Sequence, residues 1–397
     1  MSAAKKRGGE AVEIQTYALI ILAVCALLAV LIYGAGFLVP LVIAVLLTSL
    51  IAAAISRLEA LGLPKWMAGV CAIGVVFLAN IFVAVIMYEQ AAAMSLAWPK
   101  YAARFSALAS EFELKAGPDI AVWVKETLAG IDFGGHISGI AGSAGSLFTN
   151  VGLIFMYCAF LLAERGFVSS KFANLVSDPA QKKEYEQKFE TIARGVRRYL
   201  WVKTLTSLTT ATLCYVILKY FSVDFAEFWG ILIFFLNFIP NIGSAFAVFF
   251  PSMLALVQFE TVLPFVQVVV LMTAVQFVVG NIVEPKYMGK SLNLSPFVVL
   301  LSLTFWGTIW GIAGMFLSVP IAASLVIICR DIPALRWLAV LMSEGGDPDA
   351  SEKPEDQSKA GKARAFKFSW QSQKSKARTQ EIEDLKKQLE QAHKDRL

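Results

Sequence analysis

Residues 225–259 form a largely apolar stretch of 35 residues, and residues 295–329 form a second of the same length. A helix rises about 1.5 Å per residue, so ~20 residues cross the ~30 Å hydrocarbon core of a bilayer. Neither stretch fits one crossing. Each carries helix breakers near its middle. In the first they lie in Asn237-Phe238-Ile239-Pro240-Asn241-Ile242-Gly243-Ser244. In the second they are Gly307, Gly311 and Gly314, with Pro320 beyond. One plain apolar run, Val262 to Ile282, separates the two. Lipid offers no water to free backbone groups, so a break at membrane depth survives only against protein or a wet cavity. Two long interrupted segments around one ordinary helix are the pattern of broken helices or re-entrant hairpins at a transport site.

The rest of the chain fits that setting. Tyr17 to Tyr33, Phe37 to Ile55 and Met67 to Tyr88 read as three spans, the first two joined by a turn at Gly34 to Gly36. Leu147 to Ala163 and Leu205 to Tyr220 read as a fourth and fifth. Between the third and fourth, Trp98, Tyr101, Phe105, Leu108 and Phe112 recur at helical steps, as do Ile120, Trp123, Leu128 and Ile131. The spacing predicts two amphipathic helices, either an extramembrane cap or helices lying in the interface. The expected fold is all-α: a polytopic integral membrane protein of about eight membrane segments, two of them interrupted or re-entrant hairpins. Its parts are an N-terminus (1–16), three spans (17–88), the amphipathic region (89–146), a transport core (147–343) containing a basic helix (164–203), and a polar tail (344–397). The tail reads as disordered over 344–375 and helical over 376–397, with Ile382, Leu385, Leu389 and Ala392 in heptad steps.

Charge sets the orientation. The tail holds 12 Lys/Arg and 11 Asp/Glu. The chain as a whole is only 16% charged and 57% hydrophobic, against about 25% and 45–50% in soluble chains. A soluble globule could not cover its surface on that composition. Segment 164–203 carries nine Lys/Arg against five Asp/Glu, and the cap four against six. Lys5, Lys6, Arg7, Arg57, Lys65, Arg330 and Arg336 fall on the basic side if the first five spans alternate. That side is expected to be the cytoplasm, with both termini there. The net charge of +5 calls for no nucleic-acid partner. Cys25, Cys71, Cys158, Cys214 and Cys329 sit singly in apolar runs, and His136 and His393 are the only histidines. No metal site, cofactor or nucleophile–base pair is expected, hence no enzyme.

Three features carry chemistry. Pro240 lacks an N–H and Gly243 permits a turn, while Asn237, Asn241 and Ser244 can satisfy freed backbone or bind a polar solute. A structural kink between two crossings is the competing reading. Gln276, Gly280, Asn281 and Glu284 step along one helix face, which should look into the protein or a wet cavity. A helix end reaching the interface would also explain Glu284 and Lys286. Lys203, Thr206, Ser207 and Thr210 share one side of the fifth span, where helix packing is the favoured reading. Across 228–283 the only charge is Glu260. Deep acids are therefore scarce, and a neutral or weakly polar solute suits the lining better than a proton or sodium ion.

Three ordered motifs carry a resemblance. They are Leu236 to Gly243, then Gly280-Asn281-Ile282-Val283-Glu284-Pro285-Lys286-Tyr287-Met288-Gly289-Lys290-Ser291-Leu292 with Leu294-Ser295-Pro296, and lastly Phe305-Trp306-Gly307 through Trp310-Gly311 and Gly314-Met315 to Val319-Pro320. Over roughly residues 15–340 the chain resembles the AI-2E (autoinducer-2 exporter) transporter family, the PerM-like permeases. The resemblance implies a bacterial inner-membrane exporter of a small signal or metabolite. It also implies a homo-oligomer, a pentamer by expectation, in which a unit at 225–330 slides against a scaffold of the first four spans and the cap. Some relatives are assigned sodium/proton exchange, which here would rest on Glu284. A membrane scaffold whose tail recruits a partner is the third reading. The substrate-contacting residues expected for the carrier are Asn237, Pro240, Asn241, Gly243, Ser244, Gln276, Asn281 and Glu284.

Overall fold

The computed structural model describes residues 2–116, 144–173, 178–288 and 294–347. The chain divides into two units, 1–346 and 347–397. The tail after Asp347 and the second amphipathic helix expected from Ile120 to Ile131 lie outside the described residues.

Among the described residues all regular structure is helical. Helices α1 (Ser2–Tyr33) and α2 (Ala35–Ala60) meet at Gly34, so the turn is one residue rather than three. Helix α3 (Lys65–Ala116) does not stop at Tyr88. It carries the third span straight into the segment that its sequence marks as a separate amphipathic helix. Pro99 lies inside it and does not end it. Helix α4 is Ala144–Ala173, and α5 (Pro179–Tyr220) joins the basic helix and the fifth span into one rod. The first long stretch is two helices, α6 (Ala226–Leu236) and α7 (Ile242–Gln258). Helix α8 (Val262–Val278) continues through a π-turn (Val279–Val283) into the short α9 (Glu284–Met288). The second long stretch is α10 (Pro296–Asp331), followed by α11 (Arg336–Met342). Among the described residues six helices are long and apolar enough to cross a membrane, and α4, α6 and α7 supply shorter apolar ones. The protein is thus an all-α, multi-pass membrane protein.

Both long stretches are hairpins. Asn241 has φ 60° and ψ −53°, and the Ile242 N–H donates to the Pro240 carbonyl at 2.6 Å. That is a γ-turn of the rare positive-φ kind, which an Asn tolerates better than most residues. It reverses the chain so tightly that a Cβ on Gly243 would stand 1.8 Å from the Leu236 carbonyl oxygen. Only glycine fits. In α10 the break is at Gly311 alone, with φ 61° and ψ −143°; Gly307, Gly314 and Pro320 stay helical. The chain doubles back there. The Ser302 hydroxyl donates to the Ser318 carbonyl at 2.9 Å, and a Cβ on Gly314 would lie 1.9 Å from the Trp306 carbonyl oxygen.

The hairpins open toward opposite ends of α5. At its Tyr220 end sits the base of the first. The Lys219 ammonium pairs with Glu227 at 2.5 Å, Gln258 bonds the Asp224 N–H and the Ser222 carbonyl, and the Tyr101 hydroxyl of α3 donates to Asp224. At its Arg198 end, the Arg198 guanidinium donates to the Tyr287 carbonyl, and Val196, Tyr199 and Leu200 pack on Leu294, Val319 and Ala322 of the second hairpin's base. The Ser295 N–H donates to the Met342 carbonyl there. Arg198 to Tyr220 is about 33 Å of helix, close to a bilayer core. The hairpins meet midway, where Phe238 stacks on Phe316 with centroids 4.4 Å apart. Small buried residues such as Ala91, Ala211, Ala226, Ala247 and Ala255 let these helices approach closely. By contrast, α1 is exposed along its apolar length, Tyr33 by 90%, as a lipid-facing helix would be.

Candidate functional site

Helices α7 and α8 run antiparallel, and each places one side of its surface on a shared cavity of about 810 Å³. The lining side of α7 is Asn241, Ser244, Val248 and Ser252 with their neighbours. That of α8 is Phe265, Val269, Thr273 and Gln276, continuing to Gly280, Asn281 and Glu284. Asn237 and Pro240 add the first hairpin's tip, α5 adds Tyr199 and Lys203, and the second hairpin adds Val299 and Val319. Seven of the eight residues singled out from sequence therefore line one chamber. Gly243 does not. It is buried beneath the turn, where its missing side chain lets the tip close.

The π-turn sets the alignment on α8. In a regular helix, residues eight apart are off by ~80°. One residue absorbed into a wide turn makes that separation behave as seven, within ~20° of two full turns. Gln276 and Glu284 thereby face the same cavity. Inside the turn, the Asn281 amide donates to the Phe277 carbonyl at 3.1 Å, holding a backbone oxygen that the wide turn would leave poorly bonded.

Glu284 is paired, a contact that no sequence spacing announces. Both its carboxylate oxygens accept from the Lys203 ammonium, at 2.7 and 2.9 Å, across 81 residues of chain. The side chains are 8% and 19% exposed. Among the described residues they are also the only charged groups that line the cavity. Desolvating two charges costs more than such a pair ordinarily returns in stability, so a packing role explains it poorly. The four residues of the α5 stripe divide. The Thr206 and Thr210 hydroxyls donate back to carbonyls of their own helix, at Lys203 and Thr206, which is the packing role. Ser207 instead accepts from the Asn237 amide at 3.0 Å, steadying the hairpin tip.

Two lining groups have no partner at all. The Gln276 amide nitrogen and the Ser252 hydroxyl are buried and make no hydrogen bond. Leaving a buried polar group unpaired costs about 1–3 kcal/mol. Two such groups on one chamber are what a site for a polar guest requires. Ser252 was not legible in the sequence, because a lone Ser next to Pro251 and one turn from Phe249 looks like core. Among the described residues no cluster of three His, Cys, Asp or Glu side chains could hold a metal ion.

Opposed helical hairpins, joined by a helix with a wide turn and bordering an open, largely apolar cavity with polar groups toward one end, belong to an all-α polytopic membrane protein. Residues 19–334 match the model of the AI-2E family transporters, and the chain belongs to that family. It is 37% identical over 195 residues to a candidate transport protein of Borreliella burgdorferi, covering 48% of this chain and 52% of that one. It is 34% identical over 196 residues to the AI-2 transport protein TqsA of Escherichia coli (strain K12), covering 49% and 56%. It is 34% identical over 209 residues to YhhT, a candidate transport protein of the same organism, covering 53% and 58%. The chain spans about half the length of the curated relatives it matches.

Proposed function

We propose that this protein is a carrier, exporting a small polar solute by alternating access at the chamber between the two hairpins. One observation carries the reading: the first hairpin's tip, the wide turn of α8 and the arms of the second hairpin at Val299 and Val319 border a single cavity whose Gln276 and Ser252 polar atoms have no partner. Autoinducer-2, which the name of TqsA attaches to that relative, is one solute to test. The chain sits in the bacterial inner membrane with both termini in the cytoplasm, in keeping with its basic end at Arg194, Arg197 and Arg198. It works as a homo-oligomer, with a pentamer the first arrangement to test. Within it, residues 225–330 slide as a unit against a scaffold of α1 to α4. The Tyr101–Asp224 bond ties α3 to the residue that leads into that unit, so it marks the hinge side of the boundary.

The test is flux into proteoliposomes from a panel of sugars, polyols, carboxylates, amino acids and autoinducer-2, with and without a pH or sodium gradient. Asn241→Leu and Asn281→Leu should each remove at least nine-tenths of the flux while the protein elutes as the folded oligomer. Unchanged flux in both variants would remove these residues from the site. A second reading, sodium/proton exchange, is favoured by one fact: among the described residues Glu284 is the only carboxylate that lines the chamber. Full exchange in Glu284→Gln would end it.

A further inference from the structure

The cavity is mostly apolar, and most of its polar groups gather toward one end. Toward the tip of the first hairpin lie Asn237, Asn241, Ser244, Gln276 and Asn281, together with Lys203 and Glu284. Toward its base the walls are Val248, Phe249, Met253, Phe265 and Val269, with Ser252 and Thr273 the polar exceptions. Val269 to Glu284 is about 22 Å of helix, so the chamber is long.

Its charges are balanced. Lys203 and Glu284 satisfy only each other. A solute with a single net charge would pair with one and strand the other in a poorly hydrated wall. A neutral head would leave the pair closed and gain nothing from it. A head with one cationic and one anionic group can enter between them, its carboxylate accepting from Lys203 and its ammonium donating to Glu284. The unpartnered Gln276 amide nitrogen then has an acceptor within the same head region.

We infer that the solute is a zwitterionic amphiphile of the 2-amino-acid kind, with its charged head between Lys203 and Glu284 and its apolar chain along Phe249, Met253 and Val269. This narrows the carrier reading and rests on it. The probes are straight-chain 2-amino acids from 2-aminobutanoate to 2-aminodecanoate, competing with labelled 2-aminohexanoate for flux in full-length proteoliposomes. Each added methylene should lower the half-inhibitory concentration roughly fourfold. Hexanoate and hexylamine, each with one charge, should compete at least tenfold more weakly than 2-aminohexanoate. Partition into the bilayer alone would give the same slope in every variant. Phe249→Ser must therefore flatten the slope, and Phe249 is 53% exposed, so its loss spares the fold.

The outcomes separate. If nothing in the wider solute panel moves above protein-free vesicles, the carrier reading itself fails. If other solutes move but 2-aminohexanoate neither moves nor competes, the carrier stands and the zwitterion is overturned. Equal competition by hexanoate or hexylamine overturns the paired head. A slope that is flat in the native protein, or unchanged in Phe249→Ser, overturns the apolar chain.

Discussion

Breaking the Lys203–Glu284 pair from one side leaves a lone charge in a wall where the partners are 8% and 19% exposed. Removing one member of a buried pair costs about 3–5 kcal/mol. The chamber can hydrate the survivor in part, so the lower end, about 3 kcal/mol, applies to both Lys203→Met and Glu284→Gln. The double variant strands no charge. It loses the pair together with its desolvation cost and keeps the packing, so it should cost at most about 3 kcal/mol rather than the ~6 kcal/mol that additivity demands. The coupling is then at least about 3 kcal/mol, at or above the top of the range for directly contacting residues. Equilibrium unfolding of the four proteins in one detergent, followed by tryptophan fluorescence, measures it. Additive losses within ~0.5 kcal/mol would refute the claim that these two groups serve each other. A double variant as stable as the native protein, yet without flux, would show the pair is held for transport alone.

Three further outcomes follow from named contacts. Gly243→Ala should destabilise by at least ~2 kcal/mol, because its Cβ would meet backbone at 1.8 Å. Gly280→Ala has nothing within 4 Å and should be neutral or up to ~1 kcal/mol stabilising; thermal unfolding compares the two. Gln276→Leu removes a buried donor with no partner, so it should gain about 1–2 kcal/mol while flux falls, and a destabilised variant would mean the amide has a use in the empty protein. Gln258→Ala deletes both bonds that close the first hairpin's base, at 2.8 and 2.7 Å, and should cost about 1–3 kcal/mol, with faster amide exchange confined to 222–226 and 256–260.

Hydrophobic length and helix breakers made the hairpins legible. A 35-residue apolar run cannot be one crossing, and Pro240 and the glycines said where each must turn. Which glycine does the turning was not legible. Gly307, Gly311 and Gly314 are equivalent by composition, and only the backbone shows that Gly311 takes the positive φ while Gly314 serves close approach. The end of the third span was hidden for a different reason. Amphipathic steps at Trp98, Tyr101 and Phe105 mark a change of surroundings, not of backbone, and α3 crosses that change without bending its pattern. The polar faces of α7 and α8 could be read one helix at a time. The Lys203–Glu284 pair could not, because it joins elements 81 residues apart, and Lys203 in isolation has the look of a charge at a span's edge.

The wide turn at Val279–Val283 amounts to one surplus residue stored in a rod. Excising a single residue there would let the backbone relax to ordinary α geometry while Glu284 kept its bearing on Lys203. Excising one from Val262–Val278 instead would swing every downstream side chain by about 100° and turn the carboxylate away from its ammonium.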